Sequence, residues 1–178
     1  LPISKEGADT PIGKHKNEIG RDCPSDKGQP YYLTHEFKTD VAKITFEGVE
    51  SDQYTVMIST LCAMLEATAR VLDVERNDLR GCLYKSKSRE EKMAYSLILY
   101  DAVAGGAGHI RRLVKQDGQA LSKVITTAYR ITEGCDCEPS CYKCLRNYYN
   151  QKIHNNLNRM EAASFLSGYL GDIKQEKK

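Results

Sequence analysis

The sequence predicts a single mixed domain, α/β or α+β, with a small central sheet, packed helices and a four-cysteine knuckle near its C-terminal end. Three observations carry this. Short runs with alternating apolar residues are interleaved with longer runs at helical spacing. The 178 residues are enough for one domain with a core of its own. Four of the seven cysteines fall between positions 135 and 144.

Residues 1–30 are rich in Gly, Pro, Lys and Asp and poor in apolar anchors, so they read as a linker or poorly ordered arm. Cys23 in this stretch has no nearby partner for a second metal site. Residues 31–172 are expected to form the domain, and 173–178 a charged tail. "YYLTHEFKTDVAKITF" reads as two short extended pieces, with Ala42, Ile44 and Phe46 on one face. Tyr54, Met57, Ile58, Leu61, Leu65 and Leu72 then follow helical spacing and predict a long amphipathic helix. "DLRGCLYKS" reads as a strand containing a glycine, and the almost wholly apolar "KMAYSLILYD" as a central buried strand.

Small residues in "GGAG" interrupt the pattern, and a helix is expected to begin near Ala107 and continue through "HIRRLV". Leu121, Val124, Ile125 and Ala128 share a helical face in the next segment. "NRMEAASFLSGYL" predicts a last helix, capped by Asn158 with Glu161 three residues on.

The chain does not begin with Met and shows no signal peptide, and it reads as a piece of a larger protein. No stretch approaches the apolar run that a membrane span needs. Seven cysteines without an export signal point to a reducing, cytoplasmic setting, where clustered thiols bind metal more often than they pair. Cys62 and Cys82 lie in apolar segments and are expected to be buried. Residues 1–108 carry 14 Lys/Arg against 17 Asp/Glu, whereas residues 109–178 carry 12 against 7. That basic second part is compatible with nucleic acid as a partner.

Cys135, Cys137, Cys141 and Cys144 give the spacing C-x-C-x3-C-x2-C. Four thiolates fill the tetrahedral shell of Zn2+ and leave no position for an activated water, so the expected site is structural rather than catalytic. A disulfide pair and an iron–sulfur cluster are the alternatives that spacing alone leaves open. His154 lies ten residues after Cys144 and is expected to be a polar or capping residue, not a ligand. Cys144 is expected to open a helix.

Gly105, Gly106, Ala107 and Gly108 follow a strand ending at Asp101 and precede a helix. Such a turn could present backbone N–H groups to a phosphate or carboxylate; alternatively, its glycines serve tight turning and close packing. No Walker A lysine loop and no G-x-G-x-x-G fingerprint is present. "LTHEFKTD" brings His35, Lys38 and Asp40 together in sequence, but as H-x-x-K rather than the H-x-K of phospholipase D-type nucleases, and a turn stapled by Asp40 is the expected role.

"LTHEFKTDVAKITF", "LILYDAVAGGAGHIRRL" and "CDCEPSCYKCLRNYYNQKIHNNLNR", in this order, resemble the MZB domain, the zinc-binding domain named after the mitomycin-repair helicase. The resemblance spans roughly Tyr31 to Leu170. It implies that Cys135, Cys137, Cys141 and Cys144 bind zinc, and that Asp101, Gly105, Gly106, Ala107 and Gly108 form the family's Asp-x-x-x-Gly-Gly-Ala-Gly motif. It also implies a place beside a DEAD/DEAH-box superfamily 2 helicase, on the same chain or as a partner, in DNA repair or in phage defence as for DrmB of DISARM. No helicase or ATPase motif occurs in this chain.

The expected function is therefore a non-catalytic accessory module that contacts DNA or docks protein. Arg111, Arg112, Lys143, Arg146, Lys152 and Arg159 are the candidate phosphate contacts. Tyr142, Tyr148 and Tyr149 could stack on bases, although packing on the core is expected for at least two of them. The rival is a phosphodiesterase using His35, Lys38, Asp40, Asp101 and His109.

Overall fold

The computed structural model describes residues 16, 19–22, 36–46, 49, 53–87, 93–115 and 118–175. The chain divides into two units, Leu1–Glu36 and Phe37–Lys178. In the first, Lys16 and Asp22 form an isolated antiparallel bridge. Most of the expected arm, Cys23, the extended piece over 31–35 with His35, and the last three residues of the expected tail lie outside the described residues.

In the second unit, β1 (Val41–Thr45), β2 (Leu79–Lys87) and β3 (Met93–Asp101) form an antiparallel sheet in the order β1-β3-β2. The all-antiparallel pairing makes the fold α+β. β3 holds the central position that its apolar sequence predicts, with Leu97 and Leu99 fully buried. Register sets Ala42 and Gly81 on either side of Leu99, so these residues share one face. That face packs on α1 (Tyr54–Leu72). A Cβ at Gly81 would lie 2.9 Å from Leu61 Cδ1 and 2.8 Å from the Ile98 carbonyl oxygen, so the helix rests directly on the strand backbone.

Because strand side chains alternate, Cys82 points away from α1. It is exposed, contrary to the expectation of burial, whereas Cys62 on α1 is buried as expected. Val41 and Tyr84, on the same outer face as Cys82, are also exposed.

α1 is less amphipathic than its sequence implies. Every residue from Met57 to Leu65 is buried, because the sheet covers one side and α3 (Gln119–Glu133) and α4 (Arg159–Gln175) cover the other. Its length and composition also meet the requirement for crossing a membrane, which corrects the expectation that no stretch approaches it. Burial within the fold accounts for that apolar character instead. Its polar residues are absorbed locally: Thr68 Oγ1 donates to the Met64 carbonyl at 2.7 Å, and Ser59 Oγ accepts from the Asn158 N–H at 2.9 Å.

α1 ends at Asp73, which adopts φ 53°, and the Arg112 guanidinium donates to the Leu72 carbonyl at 2.7 Å. The short α2 (His109–Val114) follows the glycine turn. α4 starts at the predicted cap: Asn158 Oδ1 accepts from the N–H groups of Met160 and Glu161, and its amide donates to Glu161 Oε1 at 3.1 Å. α4 then runs on to Gln175. Between the knuckle and α4 lies a 3-10 segment, Tyr148–Asn156, which the sequence pattern does not announce because it has no apolar period.

Candidate metal centre

The knuckle hangs from the end of α3 and returns to the start of α4. Gly134 closes α3 by donating to the Arg130 carbonyl at 3.0 Å, and the chain then passes directly to Cys135. Between Cys141 and Cys144 it forms a tight turn rather than the expected helix. The Cys141 carbonyl accepts from the N–H groups of Cys144, Leu145 and Arg146, at 3.2, 3.1 and 3.0 Å. Leu145 and Leu157 are buried and fix the two ends of the segment to the core.

The four sulfurs lie within 4.8 Å of one another. The four close separations are 3.5 Å (Cys135–Cys137), 3.7 Å (Cys135–Cys141), 3.5 Å (Cys137–Cys144) and 3.9 Å (Cys141–Cys144). A tetrahedron of thiolates about 2.3 Å from one zinc ion has edges of about 3.8 Å. The cluster therefore fits a single ion, whereas a multi-iron cluster set among the thiolates would spread them farther apart. All four cysteines are free, so the disulfide alternative falls.

Without an ion, the cluster holds its protons unequally. Burial, reinforced by the neighbouring thiols, pushes Cys137 up to about 12. The Lys143 backbone N–H, 3.3 Å from Cys141 Sγ, brings Cys141 down to about 7. Burial raises Cys144 as well. A divalent cation would displace these protons and stabilise four thiolates together.

Arg159 supports the knuckle from α4. Its Nε donates to the Cys137 carbonyl, its Nη1 donates to the Thr132 carbonyl at 3.2 Å, and its backbone N–H donates to the Pro139 carbonyl at 2.8 Å. Arg146 Nε donates to Ser140 Oγ at 2.9 Å. Arg111 Nε donates to Asp40 Oδ1 at 2.8 Å, and Arg112 is engaged at the end of α1. Four of the six candidate phosphate contacts thus have partners inside the chain. Lys143 and Lys152 are exposed.

The glycine turn is already occupied by a carboxylate from within the chain. Asp101 is fully buried at the end of β3. Its Oδ2 accepts from the Gly108 N–H at 2.8 Å, and its Oδ1 from the Ile110 N–H at 3.1 Å. The Gly105 N–H donates to the Lys38 carbonyl at 2.7 Å. Gly106 has φ 77°, and a Cβ there would lie 2.6 Å from Asp40 Oδ2, so only glycine fits against that carboxylate. The residues of the phosphodiesterase alternative do not offer an open acid–base pair among the described residues. Asp101 is enclosed, Asp40 holds Arg111, and His109 faces Asp78 at 4.0 Å.

His154 is not a ligand. Its Nε2 lies 2.8 Å from Asn150 Oδ1 and 3.2 Å from the Asn147 carbonyl, two acceptors that fix the proton on this nitrogen. Asn147 and Asn150 cap the 3-10 segment reciprocally: Asn147 Oδ1 accepts from the N–H groups of Tyr149 and Asn150, and Asn150 Oδ1 from that of Asn147. This cap holds the start of the segment that carries Tyr148 and Tyr149. Tyr142, Tyr148 and Tyr149 are 66%, 75% and 57% exposed, which overturns the expected packing of at least two of them.

Residues 61–145 match the family profile MZB, described as the MrfA Zn-binding domain. That segment resembles the MZB zinc-binding domain. The ion that this family binds is zinc, and the four thiolates have the spacing that zinc requires. The chain is 27% identical over 150 residues to the Druantia protein DruE of Escherichia coli (strain UMEA 4076-1), covering 76% of this chain and 8% of DruE. The fold resembles that in the crystal structure of the DUF1998 helicase MrfA bound to DNA, with TM-score 0.55, 18% identity, and coverage of 84% of this chain and 19% of that one. The crystal structure of MrfA bound to DNA and AMPPNP gives TM-score 0.50 at 16% identity, covering 84% of this chain and 18% of that one. The chain thus spans less than a fifth of the length of these relatives.

Proposed function

We propose that this MZB-like domain is a non-catalytic accessory module of a helicase-associated DNA-processing system, in repair or in phage defence, and that its surface beside the zinc knuckle contacts nucleic acid. One observation carries this reading. Three tyrosines expose their rings on the segment that the thiolate cluster anchors, with Lys143 and Lys152 in the same segment. Exposed rings beside cations are the elements of a stacking platform for bases. The zinc holds the platform and does no chemistry, because four thiolates close its shell. The module is the unit that begins at Phe37, and its last helix runs to Gln175, into the expected tail. The helicase motor lies on the same chain or on a partner, and the whole works in the cytoplasm.

Fluorescence anisotropy of a labelled oligonucleotide at low salt tests this. Replacing both Tyr148 and Tyr149 by Ala should weaken binding between roughly fivefold and a hundredfold, since a base stacked on an aromatic ring contributes about 1–3 kcal/mol. Undetectable binding by the unaltered chain would give the surface to protein docking instead. The exposed outer sheet face with Val41 and Tyr84 would then be the first place to look for the partner.

A further inference from the structure

A cavity of about 200 Å³ lies between α1, the outer edge of β2 and the 3-10 segment. Its floor is apolar, formed by Ile58, Leu61 and Leu65 of α1. Its walls carry three cations, Arg76, Arg80 and Lys152, and among the described residues no carboxylate lines it.

The cations are poorly satisfied inside the chain. Arg76 Nη1 donates to the Leu79 carbonyl at 2.8 Å, but its buried Nε has no hydrogen-bond partner, and the nearest Glu66 carboxylate oxygen is 3.9 Å away. Burial lowers the Arg76 pKa, opposed by the nearby Cys62 and Glu66, and Arg80 adds a smaller like-charge repulsion. Arg80 lies over the Tyr149 ring, 4.3 Å from its centroid, which leaves its charge unneutralised by that contact. Lys152 is exposed at the rim. Clustered guanidinium and ammonium groups around an uncharged floor favour an anion, and forked N–H donors suit phosphate oxygens.

The neighbouring rings say which phosphate. Tyr149 lines this cavity and is 57% exposed; Tyr148 packs edge-on against it at 5.6 Å and is 75% exposed. A free ring face accepts a base only when that base is unpaired, since duplex bases cover one another. We infer that the cavity holds a backbone phosphate of single-stranded nucleic acid, with Arg76, Arg80 and Lys152 as its cation set and Tyr148 and Tyr149 as the stacking surface for the adjoining base. This deepens, and rests on, the nucleic-acid reading above.

The test uses the 178-residue chain with a fluorescein-labelled oligo-dT, a matched duplex and inorganic phosphate. Arg80→Gln and Lys152→Gln lie at a strand edge and on the surface, and a thermal melt reports whether either disturbs the fold. Each should weaken oligo-dT binding several-fold. The double variant should lower the slope of log K against log salt by about 0.7, the contribution of one neutralised phosphate on a single strand. Millimolar phosphate should raise the melting temperature of the unaltered chain and not that of the double variant.

If the double variant keeps the wild-type affinity and slope while Tyr148→Ala/Tyr149→Ala still weakens binding, the cavity inference falls and the nucleic-acid surface stands. Failure of the unaltered chain to bind oligo-dT at low salt sinks both. Should phosphate alone bind in that case, a small phosphate compound replaces the strand. Preference for the duplex overturns the single-strand assignment.

Discussion

Arg159 carries its charge at the first residue of α4, yet its guanidinium is spent on the Cys137 and Thr132 carbonyls. From sequence alone it counts as one more cation near the knuckle, because the carbonyls that consume it are separated from it by 22 and 27 residues. Asp101 presents the same problem in reverse. Its place before a glycine turn admits an external phosphate or a packing role, and the structure shows its own carboxylate filling the N–H groups of Gly108 and Ile110. Asp101→Ala should therefore destabilise the chain by about 2–4 kcal/mol, since two charge-assisted bonds vanish and a buried N–H loses its acceptor. Urea unfolding checks this, and an unchanged midpoint would contradict the capping role. Thr60 gives a prediction of opposite sign. Its side chain is fully buried and its Oγ1 has no hydrogen-bond partner, so the near-isosteric Thr60→Val should stabilise by about 1 kcal/mol in the same assay.

At the scale of elements, most of the fold is legible where a period is. The alternation of Ala42, Ile44 and Phe46 marks β1, and the apolar run of β3 marks the sheet centre, because side-chain direction follows from strand pleating. The Asn158–Glu161 pair marks the start of α4 because a cap is a local device. Two things escape this logic. Cys82 faces outward only because Gly81 must face α1, a fact of tertiary packing. The 3-10 segment has no apolar stripe, and its Asn147–Asn150 cap is short and polar, so nothing in the pattern distinguishes it from a loop. That cap also holds the start of the segment that carries Tyr148 and Tyr149. Asn147→Ala should cost about 1 kcal/mol of stability, as caps of this kind do. It should also weaken oligonucleotide binding while both tyrosines remain, which anisotropy would show; unchanged affinity would mean that the rings do not need the cap.

For the whole molecule, the zinc site and the α1-centred core are joined at Leu145, Leu157 and Arg159, so metal loss should loosen α4 without dissolving the sheet. A strong chelator, or Cys141→Ser, is expected to lower the melting temperature by roughly 10 °C, corresponding to about 3 kcal/mol at 2–4 °C per kcal/mol for a domain of this size. The pH dependence has a definite sign. The metal-bound state carries no thiol protons, whereas the metal-free state carries them on Cys137 up to about 12 and on Cys141 only below about 7. Zinc-dependent stability is thus greatest at high pH and falls as pH falls, because protons compete for the ligands. The fall should steepen below about pH 7, where binding must displace one further proton, from Cys141. Competition against a chromophoric chelator across this range measures the slope directly. A slope that stays constant through about pH 7 would show that the Lys143 N–H does not lower Cys141 in the free cluster, and a pH-independent affinity would remove the thiolate site altogether.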